Sequence, residues 1–344
     1  MWVPARYAAG VMAQPEHGPK LSPSSLPAPE PAAAPAPSTR AITRLVRTLQ
    51  GLPAAERWWG KGCAGLAGWF RSESAPTTEA TPRFQQLYAR VRQGEPVLPD
   101  EARRHVYLVV KGLLGEEMFG YLEANQVRLE RRGLEVREVQ VDTEASLADN
   151  IEKVRDALED VAFFGKSAVL VGHSKGALEA MGVLSMYPQL RRLVRAVVSL
   201  QAPYGGSPVA HDLMTTPELG RMVSIAMPLL FYGVPRSVED LTYPARMEFV
   251  RRYPYPVGVP TVALATWRYS RRSLLWPVAS YMRQRYGLNT DGLVAAVDAE
   301  VPGSRLVRLD DMDHAETALV GLPGFANYHP GDVTEAMVAL ALES

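Results

Sequence analysis

The sequence predicts an α/β fold, a mostly parallel sheet with helices on both faces and a cap inserted over it, and three observations lead there. From residue 105 onward, short apolar runs alternate with segments of helical periodicity, the pattern of a parallel sheet crossed by helices. One run, Ala168-Val-Leu-Val171, passes straight into Gly172-His-Ser-Lys-Gly176 and then into Leu178, Met181 and Leu184 at helical spacing. Between Gly205 and Gly258 the alternation lapses. There an apolar stretch from Met222 to Val234, interrupted by Pro228, reads as a cap or lid, with a pair of core helices as the alternative.

Composition narrows the function classes. The 344 residues suffice for one large domain or two modest ones, and a hydrophobic content of 47% is ample for a core. Lys plus Arg and Asp plus Glu number 37 each, so no global basic field argues for a nucleic-acid partner. The one cysteine, Cys63, excludes an internal disulfide and leans toward a reducing compartment. No apolar run reaches membrane-spanning length, and the N-terminal stretch lacks the long apolar core of a secretory leader. A cytoplasmic location is expected, with loose membrane association as the variant. Oligomeric state is left open.

Taken in order, residues 1–39 are dominated by Pro, Ala and Ser, as in Pro27-Ala-Pro-Glu-Pro-Ala-Ala-Ala-Pro-Ala-Pro37, and are expected to form a disordered tail because they carry too little to bury. Residues 40–100 read as an N-terminal amphipathic helical segment. Ile42, Leu45, Val46 and Leu49 share one face and Arg40, Arg44 and Arg47 another, followed by Trp58, Trp59, Trp69 and Phe70 among basic residues. A segment of this kind over residues 40–70 can make peripheral contact with an anionic membrane; packing on the domain or a neighbouring subunit is preferred, since most such helices bury their apolar face on protein. A short helix from Phe84 to Arg92 leads into a domain placed at residues 101–344, with the cap at about 205–258. Strands are expected at Val106–Val110, Leu134–Val141, Ala168–Val171, Ala196–Leu200, Pro260–Thr266 and Arg305–Leu309. Helices are expected over Phe119–Arg132, Ser146–Val161, from Ala177 onward and over Asp332–Leu342.

The Gly172–Gly176 turn carries the chemistry. A G-x-S-x-G sequence between a strand and a helix is a nucleophile elbow: Ser174 takes a strained backbone position, and its neighbours two residues away must be nearly free of side chain. A serine hydroxyl is a weak nucleophile and needs a base oriented by a carboxylate, in the chain order serine, acid, histidine on this fold. His314 lies just past the strand ending at Leu309, where a base must project; His329 opens the last helix and His211 precedes any acid. His173 flanks the serine, where neighbouring side chains diverge, so it is expected to pack. Asp291, in Asn289-Thr-Asp-Gly-Leu-Val294, is the acid; Asp298 is its competitor. Two backbone N–H groups should form the oxyanion hole, that of Lys175 after the nucleophile and that of Leu113 in Lys111-Gly-Leu-Leu-Gly115. The Lys175 side chain is expected to pack or pair nearby and take no direct part.

These residues resemble those of bacterial triacylglycerol lipases and related lipase-like α/β-hydrolases. Lys111-Gly-Leu-Leu-Gly115 is similar to the family's His-Gly-x-x-Gly oxyanion loop, and Gly172-His-Ser-Lys-Gly176 to its elbow. Gln201-Ala-Pro-Tyr-Gly-Gly-Ser-Pro-Val-Ala210 is similar to the segment leading into the lid, and Asp291-Gly-Leu-Val294 and Asp313-His-Ala315 to the acid and histidine motifs. The resemblance covers roughly His105 to the C-terminus and implies an esterase or lipase with Ser174, His314 and Asp291 as its triad. The ester substrate, small or lipid, would be contacted by Gly112, Tyr204 and, in the cap, Met227 and Phe231. Lys111 and Tyr204 stand where the family carries histidines, and Glu316 where an aspartate ligand to structural calcium is expected; no metal or organic cofactor is implied. An acyltransferase or thioesterase on the same triad, and a non-catalytic α/β-hydrolase scaffold, are the alternatives.

Overall fold

Why the strands read as unbroken apolar runs is explained by what covers them. In the computed structural model, which describes residues 65–215, 235–322 and 327–343, the central strands are buried on both faces, so side chains of both parities must be apolar. On β2 (His105–Val110), Val106, Leu108 and Val110 join one core with Leu170 and Val197, while Tyr107 and Val109 join the opposite core with Val169, Val171 and Val198. The remaining strands are β1 (Thr78–Glu79), β3 (Glu135–Glu138), β4 (Ser167–His173), β5 (Val194–Leu200), β6 (Thr261–Trp267) and β7 (Arg305–Asp310). Among the described residues they form a seven-stranded sheet in the order β1-β7-β6-β5-β4-β2-β3, with every pair parallel.

Helices pack on both faces. One face is covered by α1 (Thr81–Arg92), α2 (Glu123–Arg131) and α9 (Pro330–Leu342); the other by α3 (Leu147–Phe163) and α4 (Lys175–Met186). Ser146 caps α3, its hydroxyl accepting from Asp149 N at 3.2 Å. The expected cap region contributes α5 (Pro208–Thr215), α6 (Pro235–Glu239) and α7 (Tyr243–Arg252). A further helix that the sequence pattern did not show, α8 (Trp276–Tyr286), buries only Val278, Ala279 and Met282 and ends at Gly287, whose φ of 66° terminates it.

The segment drawn ahead of residue 101 packs on the sheet and its cores. Phe70 enters one core, and Ala80, Phe84, Leu87, Tyr88 and Val91 enter the other; β1 pairs with β7. Residues 65–100 are therefore part of the domain. Trp69 Nε1 donates to Gly205 O at 2.8 Å, so the described end of the tryptophan-bearing segment docks on protein. The readings of residues 1–39, of residues 40–64 and of Met222–Val234, including Met227 and Phe231, lie outside the described residues. Among the described residues no helix is long and apolar enough to cross a membrane.

Candidate active site

The loops leaving the C-terminal ends of β2, β4, β5 and β7 converge, as an open parallel sheet requires of a site. Ser174 sits between β4 and α4 at φ 56° and ψ −126°, a strained conformation for an L-residue. The turn closes because its flanking glycines lack side chains. A Cβ on Gly172 would strike the backbone of Ala177, and one on Gly176 the carbonyls of Val110 and Lys111. Ser174 N–H donates to Leu200 O at 2.8 Å and thereby ties the turn to the end of β5.

Lys175 opens α4, so its backbone N–H belongs to the first turn, where no intrahelical acceptor exists and the helix dipole favours negative charge. Its side chain is fully buried and engaged: Nζ donates to Glu179 Oε1 at 2.7 Å and to Thr143 O at 3.4 Å. Asn150 Nδ2 donates to the same Glu179 oxygen at 2.7 Å. Burial pushes the Glu179 carboxyl up to about 7, against the pull of Lys175 and Asn150. Beside the serine, the loop after β2 makes a tight turn in which Gly115 N–H donates to Gly112 O at 3.0 Å and Leu114 takes a φ of 59°. Gly112 faces the elbow so closely that a Cβ there would lie 2.9 Å from Ser174 Cβ. Leu113 follows within that turn, and Lys111 pairs with Glu138 at 2.9 Å.

Asp291 and His314 meet. His314 Nδ1 lies 2.8 Å from Asp291 Oδ2, and His314 N–H donates to Asp291 O at 3.0 Å. The other carboxylate oxygen is held by Leu293 N–H at 2.9 Å and Val294 N–H at 2.8 Å, so Asp291 is fixed on both sides. Gly292 allows the turn through a φ of 108°, and a Cβ there would come within 2.6 Å of Leu275 Cβ. The His314 ring packs against that of His173, the residue before the nucleophile, with centroids 4.8 Å apart. His329 stands instead at the N-cap of α9, its N–H donating to Tyr88 Oη at 3.1 Å.

Tyr204, expected to contact substrate, and Asp298, the competitor for the acid, both have structural partners. The Tyr204 ring is not at the triad but in the core, against Phe70 at 5.1 Å and beneath the Arg246 guanidinium, and burial pushes its phenol up to about 12. Its loop turns back into the domain, its neighbour Gly205 N–H donating to Asp298 O at 3.0 Å, which is why an apolar-lined pocket receives the ring. Asp298 is committed to structure: its two oxygens accept from Gly68 N–H and Tyr243 Oη, each at 2.7 Å.

The carboxylates beside His314 are also occupied. Arg268, itself buried, pairs with Glu316, whose second oxygen accepts from Asp313 N–H at 2.9 Å. Asp313 accepts from Ala315 N–H at 3.0 Å, from Glu316 N–H at 3.1 Å and from the Ser273 hydroxyl. Among the described residues no cluster of three or more His, Cys, Asp and Glu side chains fit to hold a metal ion is present. A guanidinium supplies the positive charge at Glu316. Sequence reasoning missed Arg268 and Tyr121, which no motif marks, and, although Gln201 opens the pre-lid segment, it missed that Gln201 contacts His173 and the histidine loop.

No family model and no curated protein matches the chain. Solved structures do. A metagenomic carboxyl esterase superposes with a TM-score of 0.62 at 21% identity, covering 81% of this chain and 94% of the other. The mature lipase of Bacillus licheniformis gives 0.52 at 22% identity, covering 64% and 89%. The lipase of Staphylococcus hyicus gives 0.51 at 11% identity, covering 71% and 96%. Together with the parallel sheet and the strand–Ser174–helix turn, these superpositions show that the chain has the α/β-hydrolase fold found in bacterial lipases and esterases.

Proposed function

We propose that the chain is a serine hydrolase that cleaves carboxylic esters through an acyl-enzyme on Ser174. The observation that carries this is the buried His314–Asp291 pair at 2.8 Å, on loops that meet the strained serine turn. Three solved neighbours named as carboxyl esterase or lipase support the same reading at the level of fold.

In this reading Ser174 Oγ attacks the ester carbonyl while His314 Nε2 takes its proton, and Asp291 holds Nδ1–H so that Nε2 is the free base. The carbonyl oxygen, now negative, is received by the N–H groups of Lys175 and Leu113 at the N-terminal end of α4. Collapse of the tetrahedral intermediate breaks the bond to the leaving alcohol, which takes the proton from His314. Water, deprotonated by His314, then attacks the acyl carbon and frees the acid and Ser174. Gly112 serves by letting the oxyanion loop approach the serine, where any side chain would intrude. Lining of an acyl chain by Met227 and Phe231 remains part of the proposal, for a lipid or small-molecule ester of medium or longer chain.

The test is labelling with a fluorophosphonate, beside turnover of p-nitrophenyl esters from short to long chain. Labelling and turnover in the wild type, both lost in Ser174→Ala and in His314→Ala, are expected. A wild type that neither labels nor turns over any ester would refute the hydrolase and leave the scaffold. Thioesters of matched chain length, and an added alcohol acceptor, separate hydrolysis from acyl transfer.

A further inference from the structure

His173 is wholly buried one residue before Ser174, and both ring nitrogens are engaged. Nδ1 lies 2.5 Å from Tyr121 Oη; Nε2 lies 3.1 Å from Gln201 Oε1 and 3.1 Å from the backbone oxygen of His314. The partners of Nε2 are both acceptors, so Nε2 carries the hydrogen and Nδ1 accepts from the tyrosine hydroxyl. Burial, with repulsion from His314, holds the ring down to about 3, so it stays neutral in this one tautomer at any working pH. Tyr121 is buried too and kept protonated by its surroundings, which push its phenol above the usual range. It remains a donor.

The contacts extend on both sides. The Tyr121 oxygen lies against the backbone of Gly112, where a Cβ would come within 2.7 Å of it. Gln201 sits at the end of β5 with a φ of 52°, and its side-chain amide donates to Asp313 O at 3.1 Å and to the Thr266 hydroxyl, while Thr317 donates to its oxygen. The oxyanion loop, the serine turn, the end of β5 and the loop bearing His314 are thus joined through three side chains. Donor and acceptor roles are fixed at every link by what lies next to it.

We propose that Tyr121, His173 and Gln201 form a positioning clamp that locks the backbone of the His314 loop, and so the imidazole, onto the serine turn. The clamp rests on the serine-hydrolase reading, because it has a catalytic consequence only if His314 acts on Ser174. None of the three touches the reacting atoms; they are positioning residues. A misplacement of about 1 Å at a catalytic base lowers rate on the order of a hundredfold, and that is the scale at which a clamp of this kind acts.

Three variants test it. Tyr121→Phe removes the donor to Nδ1 but keeps the ring; kcat for a p-nitrophenyl ester should fall about tenfold with KM unchanged. His173→Leu removes both links, and the loss should approach a hundredfold. His173→Gln restores an N–H near the place of Nε2, and should recover much of what His173→Leu loses, which a purely space-filling role would not produce. The rate of fluorophosphonate labelling should follow kcat, and thermal unfolding is measured on each variant. Losses that track unfolding temperature, losses in KM alone, or no recovery by glutamine would overturn the clamp. Wild-type kcat in Tyr121→Phe and His173→Gln, with wild type labelled and Ser174→Ala unlabelled, would overturn the clamp while leaving the hydrolase. An unlabelled, inactive wild type would overturn both.

Discussion

Replacing Asp298 with asparagine should stabilise the fold increasingly as pH rises. The carboxyl is fully buried, and burial, with repulsion from Glu300, lifts it from 3.8 to about 7 despite the hydrogen bonds from Gly68 N–H and Tyr243 Oη. Glu300 is itself paired with Arg71 and Arg308, and among the described residues no cation acts directly on Asp298. Between the two pH values the folded chain holds a proton that the unfolded chain has released. The stability from this group is therefore complete at low pH and is lost as pH rises toward 7. At about 1.4 kcal/mol per pH unit, the loss between pH 5 and pH 8 comes to about 3 kcal/mol. Asparagine keeps the acceptor for Gly68 and turns an N–H toward the Tyr243 oxygen, without a charge to bury. In urea unfolding at pH 5 and pH 8, the gap between Asp298→Asn and wild type should widen by about 3 kcal/mol, or roughly 6 °C in unfolding temperature. Glu179 titrates in the same range, but its contribution cancels in the difference. A gap equal at both pH values would refute the argument.

Asp291→Asn should lower kcat by roughly a thousandfold or more with little change in KM, because Oδ1 remains with Leu293 and Val294 and the new N–H then faces His314 Nδ1, forcing the wrong tautomer. Near-wild-type kcat in that variant would remove Asp291 from the triad. Gly112→Ala brings a Cβ to 2.7 Å from Tyr121 Oη, 2.8 Å from His173 O and 2.9 Å from Ser174 Cβ, so the oxyanion loop must retreat. A loss of about a hundredfold in kcat is expected, the size of losing one oxyanion donor, and undiminished turnover would contradict the placement of that loop. Dialysis against EDTA should leave ester turnover and unfolding temperature unchanged, since Arg268 already neutralises Glu316. Loss of either on chelation, restored by calcium, would contradict that assignment. Arg268→Ala should destabilise by about 3–5 kcal/mol by stranding a buried carboxylate.

What could be read beforehand, and what could not, follows from how local each signal is. The central strands were legible because burial on both faces leaves an uninterrupted apolar run; Val106–Val110 and Arg305–Leu309 fall within one residue of β2 and β7. The edge strand β3 spans only Glu135–Glu138 of the expected Leu134–Val141, since it has one neighbour and a polar, half-buried sequence. The two residues of β1 carry no pattern at all. Chain order and strand ends single out Ser174, Asp291 and His314 as the candidates for the proposed chemistry. Tyr204 could not, because its fate depends on Phe70, 134 positions away, and on Arg246. Gln201 opens a segment that the sequence already marked, but its links, like those of Tyr121, were invisible for the same reason: their partners lie on other loops.

Strain gives an independent argument that these loops, and not another part of the molecule, are the working end. Among the described residues, five that are not glycine have positive φ: Leu114, Leu122, Ser174, Gln201 and Asp311. Each costs on the order of 1–3 kcal/mol and persists only where the surroundings over-determine it. A random scatter over turns would put several at the opposite end of the sheet. Instead all five lie on loops leaving the C-terminal ends of β2, β4, β5 and β7. The restraints are visible at four of them: Leu122 N–H is held by Ala318 O at 2.8 Å, Ser174 N–H by Leu200 O, Gln201 N–H by Leu264 O at 3.0 Å, and Asp311 by Arg268 at 3.2 Å. A sheet buried on both faces is rigid enough to hold such backbone in place, and in the proposed reaction that rigidity would let Ser174, His314 and two backbone N–H groups from distant segments act together without rearranging.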